Sequence, residues 1–96
     1  MIPSCSLTPT GLEAQRTRQA RLAPYVRARS RSGRTLVVEF VDGFDREVLD
    51  EMVATERECC PFFDLTFDED SRRLTVAVRE PEHEPALAAI SAVLAR

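Results

Sequence analysis

The chain of 96 residues contains no tryptophan, one tyrosine, three glycines and no lysine, so all 13 basic side chains are arginine. The missing lysine points to no function. No apolar run approaches the roughly 20 residues needed to cross a bilayer, which argues against a membrane span. The opening Met1-Ile2-Pro3-Ser4-Cys5-Ser6-Leu7 lacks the basic and apolar regions of a secretory signal, so a cytoplasmic location is expected. The chain is also too short for two cores, which excludes a multidomain enzyme and predicts a single domain over residues 1–96. Nor is there an internal repeat or a low-complexity tract. An even set of cysteines is lacking too: with three and no secretory context, a disulfide framework is not expected, and the thiols read as reduced ligands or reactive groups.

Charge is present but unevenly placed. Residues 1–34 hold seven arginines against one acid, Glu13, a balance of +6, while residues 35–96 hold six arginines against fifteen acids, a balance of −9. The net charge of −3 hides this dipole. A basic amino-terminal segment can meet nucleic acid, but it can equally fold against the acidic remainder or against a second copy. Nucleic acid is not the expected partner.

Residues 1–10 read as an extended arm carrying Cys5. Thr10 and Glu13 have the spacing of a capping box, which predicts a helix from about Gly11 with Leu12, Ala20, Leu22, Ala23, Tyr25, Val26 and Ala28 as its apolar positions. Pro24 should kink it or divide it in two, and a turn is expected over Ser30–Arg34. Thr35–Val41 is rich in β-branched and aromatic residues and is closed by Asp42-Gly43, which reads as a strand. From Phe44 the period changes. Phe44, Val48, Leu49, Met52, Val53, Glu56 and Cys59 or Cys60 recur at helical spacing, and Pro61 ends that helix because proline disfavours the helical conformation for the preceding residue. Phe62–Phe67 and Arg73–Arg79 read as a hairpin, with Phe62, Phe63 and Phe67 in the core. Pro81 opens a last helix whose buried face is Leu87, Ile90, Ala92, Val93 and Leu94. The expected fold class is α+β, in the order α-β-α-β-β-α, with a three-stranded sheet packed against helices and a homodimer as a way to cover its remaining surface.

Cys59 and Cys60 carry the chemistry. Their Cα atoms are separated by about 3.8 Å across a trans peptide, less than an unstrained disulfide prefers, so the pair is expected to present two sulfurs from a rigid corner. Thiophilic ions such as mercury(II), copper(I), zinc and arsenic(III) take two to four sulfurs. Cys5 is the candidate third sulfur. Glu56 lies one turn before the pair on the same helix face, suited to act as an oxygen ligand, a proton acceptor or an ion-pair partner. A helix C-terminus disfavours a thiolate, and Arg57 or an arginine of the first helix is the cation expected to offset that. His83 is expected at the surface, and Asp64 to alternate onto a strand face that can approach the site.

Glu56-Arg57-Glu58-Cys59-Cys60-Pro61-Phe62-Phe63, together with Cys5-Ser6-Leu7 and the arginine-rich first helix, resembles a group of small, mostly uncharacterised bacterial proteins with a Glu-Arg-x-Cys-Cys-Pro-Phe signature. The resemblance covers nearly the whole chain. It implies that Cys5, Cys59 and Cys60 act together, and it links the chain with heavy-metal resistance, mercury above all. The group's usual Gly-Pro-Glu-Gly is here Glu80-Pro81-Glu82-His83, a departure that detaches any role of those glycines.

The leading expectation is a cytosolic binding protein for a soft metal ion or metalloid, held by Cys5, Cys59, Cys60 and Glu56, in detoxification, delivery or sensing. The alternatives are a small thiol enzyme, cleaving an organomercurial with a cysteine as nucleophile and Glu56 or Asp64 as proton donor, and a redox switch in which Cys5 crosslinks to one of the pair.

Overall fold

The computed structural model describes residues 8–94. Helix α1 (Pro9–Leu22) is capped by Thr8, whose Oγ1 accepts from the Gly11 N–H at 3.1 Å, with Pro9 in the first turn. The helix therefore starts two residues before the expected Gly11, and Thr8, not the Thr10–Glu13 pair, is its cap. Proline at the first helical position lacks only a donor that would have been unpaired there. Residues 9 and 10, assigned by the sequence to the arm, are helical.

Pro24 does more than kink α1. A single 3₁₀ turn (Ala23–Tyr25) follows, and the chain then enters strand β1 (Val26–Ser32), where the sequence had predicted more helix. Arginine alternates with small residues here, so the strand period of two is carried by charge instead of apolarity, and the strand's apolar content is too low to announce it. Gly33, at φ +58°, turns the chain into β2 (Thr35–Phe40). Helix α2 (Arg46–Cys59) follows, capped by the Asp45 carboxylate, which accepts from the Glu47 and Val48 N–H groups at 3.1 and 3.2 Å. Strands β3 (Asp64–Asp68) and β4 (Arg73–Ala77) form the expected hairpin, and a 3₁₀ turn (Pro81–His83) leads into α3 (Glu84–Val93).

The α+β class holds, but the sheet has four strands, not three. Its order is β1-β2-β4-β3, antiparallel throughout. Two hairpins thus meet along β2 and β4, where Leu36 pairs with Val76 and Val38 with Leu74. Alternation sends Leu36, Val38, Phe40, Leu74 and Val76 to the face covered by helices, against Leu22, Leu49, Met52, Leu87, Ile90 and Leu94. Phe63 is buried, and Phe62 and Phe67 pack against the core. Of the positions expected on the α2 stripe, Val48, Leu49, Met52, Val53, Glu56, Cys59 and Cys60 are buried, while Phe44 lies before the helix and is only partly buried against the core. In α3, Ala92 and Val93 are exposed instead, and Leu12 of α1 is exposed as well.

The charge dipole is resolved within the chain. Arg21 pairs with Asp45 (3.1 Å), Arg27 with Glu39 (3.5 Å) and Arg34 with Glu84 (3.7 Å), so the basic segment folds against the acidic remainder. Each such exposed pair contributes at most about 1 kcal/mol. Arg29 donates to the Ser91 carbonyl at 2.7 Å and ties β1 to the end of α3. A charged outer strand also discourages edge-to-edge pairing between copies.

No atom lies within 4 Å of a Cβ built on Gly33, so its replacement meets backbone strain alone. Gly33→Ala is expected to cost about 1 kcal/mol, whereas Leu74→Ala, emptying a fully buried site, is expected to cost about 2–5 kcal/mol. Urea unfolding of the two variants checks both values; a glycine variant as damaged as the core variant would contradict this account of the β1–β2 turn.

Candidate functional site

Cys59 is the last residue of α2, and Cys60 is its C-cap at φ −126° and ψ 72°. Pro61 holds Cys60 out of the helical region. The corner is braced on both sides: the Cys60 N–H donates to the Glu56 carbonyl at 2.8 Å, and the Cys60 carbonyl accepts from the Phe63 N–H at 2.9 Å. Both side chains are buried, 8% and 3% exposed, and their sulfurs stand 4.0 Å apart. That is far beyond the roughly 2.05 Å of a disulfide bond, so the adjacent pair does not close on itself. Cys59 is a free thiol, whereas Cys60 is disulfide-bonded, which corrects the expectation that the thiols are all reduced. Cys5, the expected third sulfur, lies outside the described residues.

Glu56 is 6% exposed and turned toward α1. Its Oε2 accepts from Gln15 Nε2 at 2.7 Å, and the same amide nitrogen donates to the Met52 carbonyl at 2.9 Å. Gln15 Oε1 accepts in turn from Arg18, which also reaches Thr55 Oγ1 at 3.3 Å. A buried polar chain thus joins α1 to α2 beside the cysteines. Burial pushes the Glu56 carboxyl above its usual range, and the Gln15 hydrogen bond opposes the rise. The Cys59 thiol is also pushed up, first by burial and then by the negative charge of Glu56, with a smaller share from Glu58, against its own backbone hydrogen bond.

Arg57, expected to offset that effect, donates instead to the Leu65 carbonyl at 2.7 Å and ties the end of α2 to β3. Asp64 is exposed at the start of β3 and lines a cleft beside Pro61. His83 is half-buried rather than fully on the surface, and its ring stacks on Phe62 at 4.4 Å between centroids. Among the described residues, no group of three or more histidine, cysteine, aspartate or glutamate side chains is gathered for a metal ion. The two cysteine sulfurs are thus neighbours and Glu56 is engaged with α1 instead of completing a three-ligand group with them, while Asp64 and His83 belong to the neighbouring cleft.

The sequence reading missed Gln15 and Gln19, both buried. A glutamine on an arginine-rich helix looks solvated; the available signal was its place one turn before Gln19 and two before Leu22, on the face that meets α2.

Comparison with known protein families, curated proteins and solved structures finds no match.

Because burial raises the Glu56 pKa, the folded chain keeps that proton at pH values where the unfolded chain has lost it. Its contribution to stability therefore falls as pH rises from the ordinary carboxylate value through the raised one. Glu56→Gln removes the buried charge and keeps an acceptor for Gln15. The variant is expected to be more stable than the native chain at pH 7, with the difference closing toward pH 4. Urea midpoints at the two values test this, and an equal gain at both would refute it.

Proposed function

We propose that the reduced protein captures a soft metal ion or metalloid, with mercury(II), copper(I), arsenic(III) or zinc as cargo, through Cys59 and Cys60. The observation that carries this reading is the 4.0 Å between the two sulfurs. Two thiolates on a tetrahedral ion with bonds of about 2.3 Å have sulfurs roughly 3.8 Å apart, so a corner that keeps this spacing once the Cys60 disulfide is reduced suits a two-sulfur bite. Glu56 is the adjacent oxygen donor: Gln15 holds Oε2, and Oε1 accepts no hydrogen bond among the described residues. Cys5 is proposed as the third sulfur. The likeness to the Glu-Arg-x-Cys-Cys-Pro-Phe proteins supports a role in heavy-metal detoxification or delivery. The buried setting supports selectivity, since a hard, strongly hydrated cation gains little from two sulfurs in an apolar corner.

Capture requires Cys60 as a thiol, so the proposed setting is the reducing cytoplasm. No helix of the described residues is long and apolar enough to cross a membrane. A homodimer is proposed to meet on the sheet face that carries Thr35, Val37, Thr75 and Ala77, each only partly buried among the described residues.

A second reading is favoured by the disulfide at Cys60. In it, oxidation closes the site and reduction opens it, which makes the chain a thiol switch whose reduced state is the metal-binding one.

The reduced protein is expected to bind one mercury(II) ion per chain, read by native mass spectrometry. Cys59→Ser and Cys60→Ser each weaken binding by at least about a hundredfold, and the oxidised protein binds far more weakly than the reduced one. Undiminished binding by the double variant would end the metal reading, and equal binding by the oxidised and reduced forms would end the switch.

A further inference from the structure

Beside the cysteine corner lies a cleft of about 360 Å³, near the lower end of the range for small-molecule sites. Pro61, joined directly to Cys60, is part of the cleft lining. Phe62, Phe63 and His83 form an aromatic wall, in which Phe62 stacks on His83 and meets Phe63 edge-on at 4.9 Å. The remaining lining is Asp64 from the start of β3 and Arg79 and Glu80 from the segment after β4.

The charges in this cleft are uncommitted. Arg21, Arg27, Arg34, Arg46 and Arg73 each pair with a carboxylate elsewhere. The side chains of Arg79, Asp64 and Glu80 make no hydrogen bond or ion pair among the described residues; only the Arg79 carbonyl is used, accepting from Arg34. His83 Nδ1 is buried with no partner in the described protein. An unpaired guanidinium presents a planar fork suited to a carboxylate. Two unpaired carboxylates on the same cleft suit an ammonium group, and the aromatic wall suits a short aliphatic stem.

Together these features describe the recognition of an amino-acid zwitterion, and the position beside Cys60 adds a sulfur requirement. We infer that the cleft docks a low-molecular-weight amino-acid thiol, free or in a short peptide, that brings the metal ion to the cysteine pair. The inference rests on the metal-capture reading and names the carrier for that same site. In the transfer, the bond between metal and carrier sulfur breaks as a bond between metal and Cys59 sulfur forms. The Cys59 proton passes to the released carrier sulfur, and no atom changes oxidation state.

The test is a titration of the reduced, isotopically labelled protein with S-methylglutathione, whose capped sulfur cannot exchange. Saturable amide shifts are expected at residues 62–64, 79, 80 and 83. Arg79→Gln changes an exposed side chain and is expected to weaken the binding about tenfold, with resonances elsewhere unchanged. Shifts that do not saturate, or that saturate equally in the variant, would overturn the inference. The Cys59→Ser, Cys60→Ser double variant is expected to bind the same probe normally. Metal capture without probe binding therefore refutes the carrier alone, and probe binding without metal capture refutes the capture reading alone.

Discussion

Pro61 is the constraint on which the site depends. Its ring denies Cys60 the helical conformation, so α2 stops at Cys59 and the chain swings into the turn that begins β3. Three consequences share this one cause. The two sulfurs stand 4.0 Å apart, Phe63 enters the core with Phe62 packed against it, and Asp64 joins the lining of the cleft.

The buried chain from Arg18 through Gln15 to Glu56 answers a different demand. A carboxyl group removed from water needs a donor, since an unpaired buried charge is far more costly than a paired one. Gln15 supplies it, and Arg18 fixes which way round the amide lies by occupying its oxygen. The same contacts dock α1 on α2, so the hydrogen bonds that help fix helix packing also oppose the rise that burial imposes on the Glu56 carboxyl. Helix α1 buries Gln15 and Gln19 alongside Leu22. Its seat on the protein is thus specified by polar geometry as well as by apolar area.

Legibility in the sequence followed the kind of signal each element carries. Helix α2 was plain because every third or fourth residue from Val48 to Cys59 is buried and the proline marks its end. Strand β2 was plain because it is rich in β-branched and aromatic residues and turn residues bound it. Strand β1 was not, because seven residues of arginine, alanine, serine and one valine bury almost nothing. Such a strand exists because β2 offers it a hydrogen-bonded edge, a partner that no local pattern records. Misreading it as helix also removed a strand from the sheet. In the site, the spacing of Glu56, Cys59 and Cys60 was readable as one helix face. The commitment of Glu56 to Gln15, across 41 residues of chain, was not.

What the sequence determined by itself is therefore local: the corner at Pro61, the adjacency of two cysteines, the helix face they share with Glu56, and the alternation that buries one side of the sheet. These follow from backbone geometry and from periods of two and about 3.6 residues, which any short window contains. Tertiary structure alone decided that β1 is a strand, that the basic segment spends part of its charge on Asp45, Glu39 and Glu84, that Gln15 is the partner of Glu56, and that His83 lies against Phe62. Each of these joins groups far apart along the chain. Only the packing of two hairpins and three helices around one core brings such groups within a few ångströms, where hydrogen bonds, ion pairs and ring contacts act.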